Sequence, residues 1–220
     1  MRAIGDVLLQ MRRYFSENMD SFLVCLREHV VISLLAVAAA ALIGILLGYA
    51  CVRNKRYERW IVAFFQVLRI IPSLAILILL IPVMGTGVKP ALTALILLAV
   101  PPVLMNTVTG FEEVPEFMLE TALSLGMTRR QILWKVEVPL ALPMILTGIK
   151  TGMVEVVASA TIAAKIGAGG LGGIILTGLG LNRTDLLLIG GISVAMLSIL
   201  AGALLELADH SLLRYQYIRH

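Results

Sequence analysis

The sequence predicts an all-α membrane protein that crosses the bilayer about five times. Of its 220 residues, 59% are hydrophobic and only 15% are charged, and the mean hydropathy is +0.95. A water-soluble domain with a single apolar core does not have this composition. Five stretches also reach the length of about 20 apolar residues that a spanning helix needs. Short basic segments between these stretches complete the pattern of a polytopic membrane protein.

The chain divides into three predicted parts. Residues 1–29 mix charged and apolar side chains and predict an amphipathic surface segment, whereas residues 208–220 predict a cytoplasmic tail. The membrane domain lies between them, at residues 30–207. Its predicted spans are 30–52, 60–83, 91–109, 139–164 and 186–207. Residues 111–138 form the longest polar connection between two spans.

The distribution of basic residues predicts the orientation, because loops rich in Lys and Arg stay in the cytoplasm. Three segments on one side of a five-span chain contain Arg53, Lys55, Arg56, Arg59, Arg129, Arg130, Lys135, Arg214 and Arg219. The opposite loops contain only Lys89, Lys165 and Arg183. We therefore expect the N-terminus outside and the C-terminus inside, although the four arginines of residues 1–29 favour the reverse.

The connection at residues 111–138 predicts a bent helical hairpin on the cytoplasmic face. Residues 116–125 and 128–138 are rich in helix-forming residues, and Gly126 supplies a permissive backbone at the break between them. Pro139 suits the first turn of the next helix, where its missing N–H has no helical partner.

Residues 120–143, ETALSLGMTRRQILWKVEVPLALP, resemble the EAA loop of permease subunits of bacterial ABC importers. That family pattern is Glu-Ala-Ala, three residues, Gly, and later two prolines four residues apart. Here Thr121 replaces the first Ala. The resemblance implies a type I ABC-importer permease fold. It assigns docking on an ATP-hydrolysing subunit to Glu120, Thr121, Ala122, Gly126, Met127, Arg129, Arg130, Pro139 and Pro143. The two prolines are expected to act as rigid elbows. The alternative is a polar connector whose arginines contact anionic lipid.

A second resemblance concerns the transported solute. The run GAGGLG at residues 167–172 and the run PSLAIL at residues 72–77 are similar to segments of permeases for glycine betaine, carnitine and choline. A closely similar glycine run occurs in methionine-type permeases, so methionine or another small polar nutrient is the alternative cargo. We exclude a dinucleotide site, because the glycines follow a membrane span and not a β-strand. Residues 165–181 are interpreted as a short outer loop near the translocation path.

Charged residues interrupt the fourth span. Glu155 is expected in the outer half of the hydrocarbon region, where a carboxylate is costly unless it meets water or a partner. It either lines the path and attracts a cationic head group, or faces a dimer interface. Lys150 is expected to extend toward the cytoplasmic side. The predicted path residues are Pro72, Ser73, Glu155, Ser159, Gly169 and Gly170.

Two pairs of glycines predict close helix packing. Gly44 and Gly48 lie in the first span, and Gly148 and Gly152 lie in the fourth. Small residues four positions apart let neighbouring helix backbones approach each other. We expect both pairs at contacts between helices.

The chain has no Walker motif, so we expect it to be a transport subunit with no catalytic residue and no cofactor of its own. No metal site and no nucleic-acid partner are expected. The resemblance places ATP and Mg²⁺ in two ATP-binding partner subunits. It further implies a second permease, identical or related, an extracytoplasmic substrate-binding protein, and a location in the bacterial cytoplasmic membrane. The rival hypothesis from another class is an ion-coupled secondary carrier that uses Glu155.

Overall fold

A computed structural model describes the backbone of residues 2–212 and the side chains of residues 5–210, and this part of the chain is helical without strands. Its helices are α1 (Arg2–Arg53), α2 (Lys55–Ile70), α3 (Ser73–Met84), α4 (Val88–Glu112), α5 (Glu116–Ser124), α6 (Arg129–Ile132), α7 (Val138–Ala163), α8 (Leu171–Gly180) and α9 (Thr184–Leu212). A π-helical turn, Leu133–Glu137, joins α6 to α7, and a 3-10 turn, Ala164–Ile166, follows α7. The all-α prediction is confirmed. Most of the predicted tail, with Arg214 and Arg219, lies outside the described residues.

Four continuous helical segments within residues 2–212 are long and apolar enough to cross a membrane. They are Gly5–Arg53, Val88–Glu112, Arg129–Ile166 and Thr184–His210. The helices α2 and α3 supply a fifth crossing only as a pair, because their axes differ by 100°. The prediction of one continuous helix at residues 60–83 is therefore wrong. Pro72 explains the break, since the residue before a proline avoids helical backbone, and Ile71 is extended with φ −73° and ψ 124°.

The predicted boundary between residues 29 and 30 is absent. The helix α1 continues across it, and within α1 the backbone is non-helical at Asn18, with φ −129° and ψ 23°. Apolar side chains of the N-terminal part, among them Phe15 and Phe22, pack with Leu171 of α8 and Ile189 of α9. This segment belongs to the helical bundle because its apolar face finds partners there.

The bundle is centred on α4, which packs between α1 and α7. A Cβ atom built at Gly48 of α1 would come within 2.7 Å of the Thr107 Cβ on α4. One built at Gly148 of α7 would come within 2.9 Å of the Pro102 carbonyl oxygen on α4. Both predicted glycine pairs therefore lie at helix contacts, and a larger residue at Gly48 or Gly148 would force the helices apart.

The interpretation of residues 165–181 as a loop is wrong, because most of this stretch is the helix α8. Three glycines with positive φ form the turn before α8: Gly167 at 87°, Gly169 at 74° and Gly170 at 80°. Positive φ is readily adopted by glycine and strained for other residues. The glycines are therefore confined to a tight turn, and the apolar residues after them continue as a helix.

Candidate coupling hairpin and membrane path

The corner between α5 and α6 is built around Gly126, whose φ is +77°. The Gly126 N–H donates to the Leu123 carbonyl oxygen at 2.9 Å, and the Met127 N–H donates to the Ala122 carbonyl oxygen at 3.1 Å. These two bonds together form a Schellman motif, which ends a helix on a glycine in the left-handed conformation. Gly126 therefore stops α5 and turns the chain.

The second helix of the hairpin begins with a capping box that sequence analysis missed. The Gln131 N–H donates to Thr128 Oγ1 at 3.4 Å, and the Thr128 N–H donates to Gln131 Oε1 at 2.8 Å. The signal was present, because Thr-x-x-Gln is the sequence signature of this cap. The cap fixes the direction in which α6 leaves the Gly126 corner.

The second hairpin helix does not end at residue 138, and Pro139 and Pro143, the expected elbows, lie within continuous helix. The chain is helical from Arg129 to Ile166. The π-helical turn lies directly before Pro139, which has no N–H to donate to the carbonyl four residues earlier. The wider turn accommodates the proline within continuous helix.

The hairpin presents an apolar surface bordered by charged residues. Among the predicted docking residues, Ala122 is buried and Glu120, Thr121, Arg129 and Arg130 are exposed. Four large apolar side chains of the hairpin are more than half exposed: Phe117 at 63%, Leu123 at 57%, Leu125 at 76% and Trp134 at 62%. Exposed apolar side chains with a polar rim are typical of a protein contact site.

Ion pairs connect the base of the hairpin to the end of α1, and the start of α2 to the end of α4. Arg53 Nη2 donates to Glu137 Oε2 at 2.7 Å, and Lys55 pairs with Glu112 at the end of α4. The Glu137 side chain is only 13% exposed, so its contact is shielded better than an ordinary surface pair. The first contact links the hairpin to α1, and the second links α2 to α4.

Lys150, which the sequence predicts to extend toward the cytoplasmic side, is paired with carboxylates near the C-terminal end of α9. Its Nζ atom donates to Glu206 Oε2 at 2.9 Å and also to Asp209 Oδ2, both on α9. We call these three residues the clamp. The partners lie 56 and 59 residues away in sequence, so local spacing could not predict the contact. Lys150 and Asp209 are 21% and 15% exposed, whereas Glu206 is 67% exposed, so only the Lys150–Asp209 contact is largely buried.

Replacing Lys150 with methionine is expected to destabilise the packing of α7 against α9. The change leaves the carboxylates of Glu206 and Asp209 without their cation. Removing one partner of a buried ion pair costs several kcal/mol. Because Glu206 is partly solvated, we expect the free energy of unfolding to fall by about 2 kcal/mol. Thermal unfolding of the purified protein in detergent measures the loss. The control is Lys165→Met, because Lys165 is exposed and has no ion pair among residues 5–210. Equal unfolding temperatures for the two variants would show that the clamp does not stabilise the fold.

The predicted path residues occupy three places. Pro72 and Ser73 form the start of α3, at the bend after α2. Glu155 is half-buried and Ser159 buried on α7, one turn apart. Gly169 and Gly170 lie in the turn before α8, and the structure does not bring them into one group with the other four.

Gly169 and Gly170, which were predicted to line the path, contact Glu28 of α1. The Gly170 N–H donates to Glu28 Oε2 at 2.9 Å, and a Cβ built at Gly169 would overlap the same carboxylate. The neighbouring His29 is buried, and its Nε2 lies 3.0 Å from the Val157 carbonyl oxygen on α7. Glu28 and His29 had no role predicted from sequence, because their partners are 142 and 128 residues away.

Residues 40–214 match the family described as the inner membrane component of binding-protein-dependent transport systems. The chain belongs to this family. It is therefore a multi-pass membrane protein and a permease of the ABC-importer class, as the EAA-like loop implied.

Curated relatives are similar over most of their length. A glycine betaine/carnitine/choline transport system permease of Bacillus subtilis (strain 168), OpuCB, is 36% identical over 200 residues, which are 91% of this chain and 92% of the relative. A carnitine transport permease of Listeria monocytogenes, also called OpuCB, is 39% identical over 186 residues, or 84% and 85% of the two chains. These relatives confirm the predicted resemblance to quaternary-amine permeases.

Solved structures with the same fold include other importers. An inward-facing MetNI methionine ABC transporter superposes with a TM-score of 0.74 at 22% identity, covering 90% of this chain and 96% of that chain. An amino acid ABC transporter with histidines gives a TM-score of 0.74 at 20% identity, covering 92% and 97%. The type I ABC-importer permease fold is thereby confirmed.

Proposed function

We propose that this permease pairs with a second permease and two ATP-binding subunits to import glycine betaine and related quaternary amines. The main support for coupling to ATP hydrolysis is the hairpin at residues 116–137. Its exposed apolar surface and its corner at Gly126 suit docking on another protein. The choice of solute is supported by the relatives, which are named as permeases for glycine betaine, carnitine and choline. An extracytoplasmic binding protein would deliver the solute.

The continuity of α6 with α7 supports a direct mechanism. Nucleotide binding closes the ATPase pair and moves the two docked hairpins toward each other. Because the helix continues from the hairpin into α7, the movement tilts α7 and the helices packed on it, and the path opens outward. Hydrolysis reverses the movement and releases the solute inward. The balance between the inward-open and outward-open states depends only on contacts that differ between the two states.

The proposed orientation places the hairpin in the cytoplasm of the bacterial cell membrane, with the N-terminus outside and the C-terminus inside. The basic residues around Arg53 and Arg129 support it, because basic loops remain on the cytoplasmic side. This orientation brings the hairpin to the side on which ATP is available.

Reconstitution tests the proposed function. The permease, its ATP-binding subunits and its binding protein are placed in proteoliposomes, and uptake of labelled glycine betaine, choline and methionine is measured. We expect uptake of quaternary amines only when ATP is present on the side of the membrane where the ATP-binding subunits are docked. Uptake that persists without the ATP-binding subunits and collapses with the proton gradient would instead establish a secondary carrier. Uptake of methionine alone would overturn the proposed solute.

A further inference from the structure

A cavity of about 220 Å³ lies between the hairpin and the end of α1. Its walls come from α5, α6, the π-helical turn and the last residue of α1, and they consist of Leu119, Leu123, Ile132, Arg129, Glu137 and Arg53. Pockets for drug-sized ligands usually have about 300–1,000 Å³, so this cavity fits a smaller group. Its lining combines cationic side chains with an apolar wall.

The two arginines give the cavity an excess of positive charge. Arg53 donates through Nε to Tyr49 Oη at 3.0 Å and through Nη2 to Glu137 Oε2 at 2.7 Å. A guanidinium has five N–H groups, so three remain for another acceptor. Arg129 is exposed and forms no ion pair within residues 5–210. Because the single carboxylate already pairs with Arg53, the charge of Arg129 is uncompensated.

The cavity lies at the boundary of the membrane. Arg53 is the last residue of the apolar helical segment Gly5–Arg53, and its guanidinium stands 5.2 Å from the centre of the Tyr49 ring. Tyrosine is enriched at the membrane–water interface, and arginine at the end of a spanning helix extends into the head-group region. The two guanidinium groups therefore lie at the depth of lipid phosphates.

Part of the exposed apolar surface of the hairpin faces away from the cavity. Successive residues of a helix are about 100° apart, so Phe117 lies about 160° round α5 from Leu119. Leu119 lines the cavity, and Phe117 does not. A protein that covers Phe117 therefore approaches α5 from the side opposite Leu119, which leaves the cavity accessible to lipid.

We propose that this cavity binds the head group of an anionic phospholipid. Arg53 and Arg129 donate to the phosphate oxygens, and Leu119 contacts the apolar part of the lipid next to the phosphate. The proposal uses the membrane location of the chain and does not depend on the import of quaternary amines.

The chemistry of the cavity favours an anionic lipid over a zwitterionic one. Guanidinium groups bind phosphate through paired N–H donors, and basic pockets beside membrane helices bind anionic head groups. Phosphatidylcholine would bring a quaternary ammonium next to the uncompensated charge of Arg129. Phosphatidylglycerol offers the same phosphate without that cation.

Native mass spectrometry tests the site by counting bound lipids. The full-length chain is purified in a mild detergent together with any subunits that accompany it, and equal amounts of phosphatidylglycerol and phosphatidylcholine are added. We expect more bound phosphatidylglycerol than phosphatidylcholine. Arg129→Gln is expected to lower this ratio about tenfold, because a hydrogen bond between charged groups corresponds to a preference of about that size.

The matched control is Arg130→Gln. Arg130 follows Arg129 in α6 and is also exposed, but it does not line the cavity. Diffuse attraction of basic residues to an anionic surface is worth about fivefold per residue, and both variants remove one such charge. A specific site predicts a clearly larger fall for Arg129→Gln. Equal falls for the two variants would show diffuse attraction and overturn the site.

A second variant, Arg53→Lys, tests the other cation while keeping its charge. An ammonium lacks the planar fork of a guanidinium, so the lipid ratio should fall by less than in Arg129→Gln. The unfolding temperature of every variant is measured in detergent without added lipid. If the variants lower that temperature while the lipid ratio stays unchanged, the arginines have a purely structural role and the proposal is wrong.

Two other occupants of the cavity predict different results. If an acidic side chain of an ATP-binding subunit fills it, Arg129→Gln reduces the amount of that subunit in the purified complex and leaves the lipid ratio unchanged. If a free anion fills it, inorganic phosphate displaces phosphatidylglycerol at equal concentration. Either result would overturn the lipid site and leave the proposed function standing. Failure of quaternary-amine uptake would overturn the proposed function alone.

Discussion

Replacement of Gly126 by proline is expected to abolish import while the chain still inserts into the membrane. The φ of Gly126 is +77°, whereas proline fixes φ near −65°. Proline also removes the N–H that donates to the Leu123 carbonyl oxygen at 2.9 Å. Proline at an incompatible position costs about 3 kcal/mol or more, which reduces the population of the docking corner by roughly a hundredfold.

The measurement combines uptake with ATP hydrolysis in the reconstituted importer. We expect loss of solute uptake, together with ATP hydrolysis that no longer responds to the binding protein. The matched control is Gly126→Asn, because asparagine tolerates the left-handed conformation better than other side chains. That variant should retain most of its uptake. Normal import by Gly126→Pro would contradict the coupling role of the corner.

The sequence predicted the hairpin well because its determinants are local. A Schellman corner requires a glycine immediately after the helix, and Gly126 follows residues with high helix propensity. The family pattern then supplied the position of the hairpin between two spans. The capping box of Thr128 with Gln131 was equally local and was recoverable from its spacing.

Prolines show why the breaks in the spans were harder to predict. Pro72 ends a helix and precedes a bend of 100°, whereas Pro139 and Pro143 lie within continuous helix. Membrane helices tolerate proline where neighbouring groups or local π-helical turns satisfy the freed carbonyl. Residue type alone therefore does not distinguish a break from an accommodated proline.

Local sequence patterns could not predict contacts between residues that are far apart in the chain. Lys150 finds its partners on α9, and His29 on α1 meets the Val157 carbonyl group of α7 across 128 residues.

Gly172→Ala is expected to lower the stability of the membrane domain, although it adds a single methyl group. The Cβ atom would overlap the Thr161 carbonyl oxygen near the end of α7 and come within 2.8 Å of the Ala164 Cβ. The first obstacle is backbone, which cannot move aside like the end of a flexible side chain. Adding a methyl group to a packed interior typically costs about 1–3 kcal/mol.

The next residue provides an unusually direct comparison for this prediction. Gly173 is also in the first turn of α8, but a Cβ built there meets no atom within 4 Å. Gly173→Ala should leave stability unchanged or raise it slightly, because alanine favours helix over glycine by up to about 1 kcal/mol. Thermal unfolding in detergent should therefore separate two neighbouring Gly→Ala variants by roughly 4–8 °C for a penalty near 2 kcal/mol. Equal unfolding temperatures would mean that α8 does not pack against the end of α7 as the structure shows. A lower temperature for Gly172→Ala alone would establish that the glycine run is required for the close contact of these helices, independently of any solute.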